Sequence, residues 1–188
     1  MPKREEFAVV LDFLPHGKAG EAQKVPIAQV VGETYFTLLE LVLKPDTVVK
    51  QGERLYIGAS ERDKVDHIKG RVLLRDLTNN GQKGLEEFVK KAITEREQEF
   101  VGFINRAGAI NIHAHSLEHL PGIGKKHLGA MLDERDKKPF ESYADIQKRV
   151  PHLTSISTII FERVMHELAG DAKYYLFCKP PFVEREHV

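Results

Sequence analysis

The sequence predicts an α+β protein of two domains, a small five-stranded β-barrel followed by an all-α domain of paired helices. Three observations predict it. Five β-favouring runs separated by turn signals fill the first part of the chain. Beyond Leu77 the apolar residues recur at helical spacing. Within that helical part, Leu120-Pro121-Gly122-Ile123-Gly124-Lys125-Lys126 joins a helix stop, two glycines around one aliphatic residue, and paired lysines.

The β-favouring runs are Phe7 to Leu14, Ile27 to Val31, Tyr35 to Leu43, Arg54 to Ile57 and His67 to Leu74. Turn signals lie between them at Pro15-His16-Gly17, Gly32-Glu33, Pro45-Asp46 and Gly58. The spacing predicts a closed barrel over residues 1–77. Oligonucleotide-binding (OB) barrels have this strand count, as do other small barrels, and in OB barrels nucleic acid stacks on exposed rings beside basic groups. Tyr35, Phe36 and Tyr56 are the available rings, and core filling is the preferred role for them because aromatics in small barrels bury large areas.

Asn79-Asn80-Gly81 is expected to end the barrel, and residues 78–110 to form a helical connector. Leu85, Phe88, Val89 and Ala92 keep helical spacing. Thr94 with Glu97 predicts a capping box that opens a second helix, with Phe100, Val101, Phe103 and Ile104 facing a core and Gly108 ending it. Residues 111–188 then hold the paired helices and a C-terminal tail, whose Tyr174-Tyr175-Leu176-Phe177 run fits against either domain.

In the glycine-rich turn, Leu117 and Leu120 precede and Leu128, Met131 and Leu132 follow at helical spacing, so two short helices share one apolar seam. Pro121 stops the first helix. A helix starting at about Lys125 presents unpaired N–H groups and the positive end of its dipole. Phosphate is the natural occupant, and glycines let a sugar-phosphate strand approach the main chain. Pro121, Gly122, Ile123, Gly124, Lys125, Lys126 and His127 are therefore the candidate nucleic-acid-binding residues.

This stretch resembles the hairpin of the helix-hairpin-helix family, which carries a Leu-Pro-Gly-hydrophobic-Gly-Lys turn and binds nucleic-acid backbone without reading bases. The family usually has a small residue about four positions after the second glycine, where this chain has His127 and Leu128. Lys137-Lys138-Pro139-Phe140-Glu141-Ser142-Tyr143-Ala144-Asp145-Ile146 predicts a second pair of helices, capped by Ser142 with Asp145 and starting at Tyr143. Tandem hairpins of this kind look like the double helix-hairpin-helix domain of the RuvA type. The second turn, Val150-Pro151-His152-Leu153-Thr154-Ser155-Ile156-Ser157, has no glycine, so it is expected to lack the close-approach geometry and to serve as a structural partner. Lys137, Lys138, Thr154 and Ser155 are candidate secondary nucleic-acid contacts. Over its whole length the chain is similar to an archaeal family in which a small β-barrel precedes a RuvA-like domain. The residues carrying this are Phe103 to Ala107, His115 to Lys126 and Lys138 to Tyr143. That resemblance implies nucleic-acid binding and no established activity.

Charge limits the mode of binding. Lysine plus arginine and aspartate plus glutamate number 28 each, and the balance holds on either side of Thr78 and Ile110, so no segment is basic as a whole. Only the window from Pro121 to Val150 is locally positive, through Lys125, Lys126, Arg135, Lys137, Lys138, Lys148 and Arg149. One or two phosphate contacts imply weak non-specific binding, with Kd on the order of 10⁻⁴ to 10⁻⁶ M, unless a second surface, an oligomer or a protein partner adds to it.

Other classes find less support. His115 and His119 stand at i, i+4 beside His113 and His127, but Ser116-Leu117-Glu118 puts the acid one place late for H-E-x-x-H, so no metal is expected. Asp145 falls where glycosylases that use this hairpin place a catalytic aspartate, yet the capping box explains it. No catalytic constellation and no cofactor fingerprint is found. Cys178 is the only cysteine, which excludes disulfides within one chain, and no apolar run spans a membrane. The expected partner is DNA or RNA backbone in the cytoplasm, without a membrane. The alternative is a protein-protein adaptor in a nucleic-acid or translation-related complex.

Overall fold

The computed structural model describes residues 4–22 and 24–181. Backbone contacts divide the chain into Met1–Phe88 with Glu167–Val188, and Val89–His166.

In the first unit, strands β1 (Phe7–Leu14), β2 (Ile27–Gly32), β3 (Leu38–Leu43), β4 (Arg54–Tyr56) and β5 (Val65–Arg71) form one curled antiparallel sheet in the order β4-β1-β2-β3-β5. Every residue of β2 and β3 is buried, so both faces of the sheet centre are covered. Ala8, Val10, Ala28, Val30, Leu39, Leu41, Leu43, Leu55, Ile57 and Val65 make one core on the inside of the curl. A register shift between Val10 and Asp12 marks a bulge that bends β1. The expected closed barrel does not form. β4 pairs only with β1 and β5 only with β3, leaving two edges. Three-residue β4 and the charged Asp66, Lys69 and Arg71 of β5 suit edge positions, where short length and charge discourage further pairing.

The third strand starts at Leu38 rather than Tyr35 because a buried carboxylate claims the amides before it. Glu5 accepts hydrogen bonds from the amides of Thr34 (2.9 Å), Tyr35 (2.8 Å) and Thr37 (3.3 Å). Gly32 leaves the room that the Glu5 side chain fills. Phe36, at φ 54°, turns its ring inward, 1% exposed, against the edge of Phe88.

Asn79-Asn80-Gly81 does not end the barrel in a turn but opens helix α1 (Asn79–Glu95). Thr78 is the reason, since its hydroxyl accepts from the Gly81 amide at 2.9 Å and its carbonyl from Gln82. Gln29, fully buried on β2, receives the Thr78 amide at 2.9 Å and donates to Glu40 and to the Asp76 carbonyl. A β-carbon at Gly81 would lie 2.9 Å from the Gln29 amide oxygen, and one at Gly84 3.0 Å from the Leu11 carbonyl. The two glycines therefore let the helix lie close on the sheet, which offsets their poor helix propensity. The C-terminal run adds no strand. Its Leu176, Phe177 and Cys178 amides donate to Glu167, and Arg71 donates to the carbonyls of Lys179 and Pro180.

In the second unit, α2 (Glu97–Arg106) starts one residue after α1, with Arg96 as the break. The predicted capping box at Thr94 is absent. Thr94 is still inside α1, donating to the Lys90 carbonyl, and Glu97 instead accepts the Tyr143 amide at 2.6 Å. A two-stranded ribbon, β6 (Ala109–Asn111) with β7 (Ala114–His115), leads through a 3₁₀ turn at Ser116–His119 to α3 (Lys125–Lys137), α4 (Tyr143–Arg149) and α5 (Ile156–Ala169). Phe100, Ile104, Leu117, Leu120, Met131, Phe140, Ile146, Val150, Ile160 and Val164 are buried here. Helix α4 begins at Tyr143 as predicted, and Ser142 accepts the Asp145 amide at 3.0 Å. Asp145 reaches back to the Glu141 amide, one residue before the position a capping box requires.

Asn105 pairs both edges of its amide with the backbone of Phe140, donating to the carbonyl and accepting from the N–H at 2.8 Å each. Replacing it strands two peptide groups. Asn105→Ala is expected to lower unfolding free energy by about 2 kcal/mol in urea titration. Exposed Gln98→Ala, which loses one bond to the Glu141 carbonyl, should stay within about 0.5 kcal/mol of the parent. Equal losses would show that the Asn105 pair contributes no more than a surface contact.

Candidate nucleic-acid interface

The turn before α3 is built around one buried side chain. Ile123 is 4% exposed and sits between Gly122 and Gly124, both exposed to solvent. Gly122 takes φ 76°, which only glycine adopts without strain, and the Ile123 amide donates to the Leu120 carbonyl at 3.2 Å. The His127 ring nitrogen Nδ1 lies 3.2 Å from the Gly122 carbonyl, which fixes it as the donor and ties the turn to the first turn of α3. Gly124 is the N-cap at φ −88° and has no side chain to satisfy the helix amides.

The first-turn amides of this 13-residue helix are therefore open. Among the described residues the Gly122 and Gly124 amides have no partner, and a β-carbon at either glycine would meet nothing within 4 Å. Gly124 thus needs to be glycine neither for its backbone angles nor for internal space. Lys125 and Lys126 are exposed and carry no ion pair among the described residues. The bend leaves an outward-facing set of N–H donors beside two free ammonium groups.

The second turn repeats this geometry at an offset of 30 residues through its buried residue. Val150 stands for Leu120, Pro151 for Pro121, His152 for Gly122 and Leu153 for Ile123. His152 takes φ 64° without being glycine, and Leu153 is 4% exposed. The bend thus forms without a glycine, and His152 carries a side chain where Gly122 has none. Histidine accepts the left-handed conformation at a modest cost. The turn then runs one residue longer, and the Ser155 carbonyl accepts the Ile159 amide at the start of α5. The Ser155 hydroxyl lies 2.9 Å from that of Ser157, and exposed Thr154 faces solvent.

The remaining cations divide into two kinds. Lys137 pairs with Glu134 and Lys138 with Glu141, both on the surface. Arg135 donates to the carbonyls of Ile104 and Ala107, closing the end of α2. Arg149 donates to the Lys138 and Pro139 carbonyls, pairs with Asp145 and Glu134, and covers the Phe140 ring. Arg135 thus fastens α3 to the end of α2, and Arg149 fastens α4 to the end of α3. Lys148, exposed and unpaired among the described residues, joins Lys125 and Lys126 as an available charge. Asp145, held below the usual carboxylate range by the Glu141 amide and then by Arg149, is occupied structurally.

A family model described as a protein of unknown function (DUF655) matches residues 4–179. The chain belongs to the DUF655 family. The uncharacterized protein MJ0038 of Methanocaldococcus jannaschii is 38% identical to this DUF655 chain over 179 residues, 94% of this chain and 81% of the relative. The crystal structure of Af1531 from Archaeoglobus fulgidus, described as family-model DUF655, superposes with a TM-score of 0.81 at 38% identity, covering 93% of this chain and all of the other. The likeness to an archaeal family expected from the motifs is met by these two relatives. No helix among the described residues is long and apolar enough to cross a membrane.

In the DUF655 chain His115 and His119 do not share a helix face, since Ser116–His119 is a single 3₁₀ turn. His115 works as a cap. Its Nδ1 accepts the Leu117 amide at 3.1 Å, while its own amide donates to Glu118 at 2.8 Å. Burial first, and then the Arg135 charge, hold its pKa below the ordinary 6.5. A histidine whose folded pKa is depressed binds fewer protons than in the unfolded chain, so stability is lost as pH falls through the ordinary value towards the folded one. Urea midpoints should drop as pH falls through about 6.5 and below, and drop less in His115→Asn, which keeps a side-chain acceptor. Parallel declines would place the pH sensitivity elsewhere.

Proposed function

We propose that this protein binds nucleic-acid backbone without chemistry and without reading sequence, through the bend at Gly122 to His127. On this reading the second unit is a double helix-hairpin-helix domain, and the first unit is an OB-like half-barrel. The observation that carries the proposal is Gly124: it sits in open space with ordinary backbone angles, at the head of a helix whose first amides and two lysines have no partner among the described residues. A phosphate oxygen satisfies those donors, and the missing side chain is what lets it in. Pro121 and Ile123 hold the bend. His127 fixes it through the Gly122 carbonyl. The second bend lacks lysines and offers the Thr154 and Ser155 hydroxyls in their place.

Lys125→Glu with Lys126→Glu should weaken filter binding of unrelated DNA and RNA sequences alike, by about tenfold or more at low salt, and reduce the slope of log K against log salt by about 2. Lys137→Glu with Lys138→Glu should do less, because both lysines already face acids. Undiminished binding in the first double variant removes the bend as the contact. Absence of any binding at low salt, with a protein recovered alongside the chain, favours the adaptor role instead.

Gly124→Ser separates architecture from contact. Serine is a favoured N-cap, so thermal stability should hold or rise, while its β-carbon and hydroxyl occupy the amides and the approach path. Affinity should fall several-fold. Full affinity together with raised stability would show that the open amides take no part.

A further inference from the structure

The first unit holds a cavity of about 490 Å³ that the bend does not use. It opens where the sheet fails to close, with residues following β4 on one side and Ile68 and Arg71 of β5 on the other. Leu39, Ile57, Ala59 and Ile68 give it apolar walls, and the Tyr56 ring stands among them. Ile68 is 36% exposed for an isoleucine on a strand.

The polar groups are unevenly committed. Glu5 is consumed by three amides, and Arg71 by the carbonyls of Lys179 and Pro180. Arg62 donates through Nε to the Gly58 carbonyl, and its guanidinium meets no carboxylate among the described residues. Exposed Arg4 has no ion pair among the described residues. Glu6 is the acid on the rim. The turn between Tyr56 and Arg62 is a fixed support, because the Tyr56 hydroxyl accepts the Ser60 amide at 3.1 Å and a β-carbon at Gly58 would run into that ring.

We infer that this cavity binds a nucleoside monophosphate. The walls and the ring suit a flat base. The outer edge of β5, unpaired in the sheet, supplies peptide donors and acceptors that an aliphatic ligand would leave unsatisfied and a heterocycle edge can meet. Arg62 and Arg4 match a phosphate through guanidinium forks. The volume lies within the range of small-molecule sites. This site is independent of the bend before α3.

Calorimetric titration of the full chain with adenosine and uridine monophosphates tests it, with ribose 5-phosphate and inorganic phosphate as controls. Binding of at least one nucleotide is expected, tighter than either control. It should weaken about tenfold or more in Arg62→Glu and in Ile68→Trp, which fills the space from an exposed edge strand, and be unchanged in Lys125→Glu with Lys126→Glu. Circular dichroism confirms that each variant is folded. No heat at millimolar nucleotide, equal binding of ribose 5-phosphate, or full binding in folded Ile68→Trp overturns the proposal. Loss in the Lys125 and Lys126 variant alone would assign the nucleotide to the bend and overturn it too.

Discussion

Burial of Ile123 is the constraint on which the candidate interface depends. An aliphatic side chain directed into the second unit forces the residues on either side of it outward, and the chain can reverse there only if the residue before it enters the left-handed region. Gly122 meets that requirement. The open amides of α3 are then a by-product of hydrophobic packing, exposed because the one residue between the glycines is not. Leu153 imposes the same turn on the second pair, with His152 taking the left-handed position. Chemistry at the two bends differs, although the backbone constraint is shared.

Charge shows why residue counts mislead. Seven cations lie between Lys125 and Arg149, yet Arg135 and Arg149 spend their guanidinium groups on helix-end carbonyls, and Lys137 and Lys138 face acids. Guanidinium reaches several carbonyls at once, which lysine cannot do in a planar fork. The field presented to a polyanion is therefore narrower than the sequence window suggests. It is concentrated at the start of α3 and at Lys148.

Legibility in the sequence followed the range of the interaction. Local signals were readable: the bend before α3, the Ser142 cap and the starts of β1, β2 and β4 all sit where short-range pattern places them. Errors arose where a distant partner decided. Glu5 takes the amides before β3, so that strand starts late. Gln29 and the Thr78 cap turn Asn79-Asn80-Gly81 from a loop signal into a helical turn lying close on the sheet. Glu97, read as a cap for its own helix, serves Tyr143. Whether the sheet closes depends on the pairing of β4 with β5, which neither strand's sequence contains. Aromatic content was half readable: Phe36 fills the core, whereas Tyr56 lines the cavity.

The segment after α5 returns to the unit that the first 88 residues begin, through Glu167, Tyr35 and Arg71. The helical unit is thus an inset within the other unit's polypeptide. During synthesis the inset has all its residues before its host does, and the host's last backbone ties wait for the segment made afterwards. Assembly order is therefore written into the connectivity: the later part of the gene product completes the part translated first.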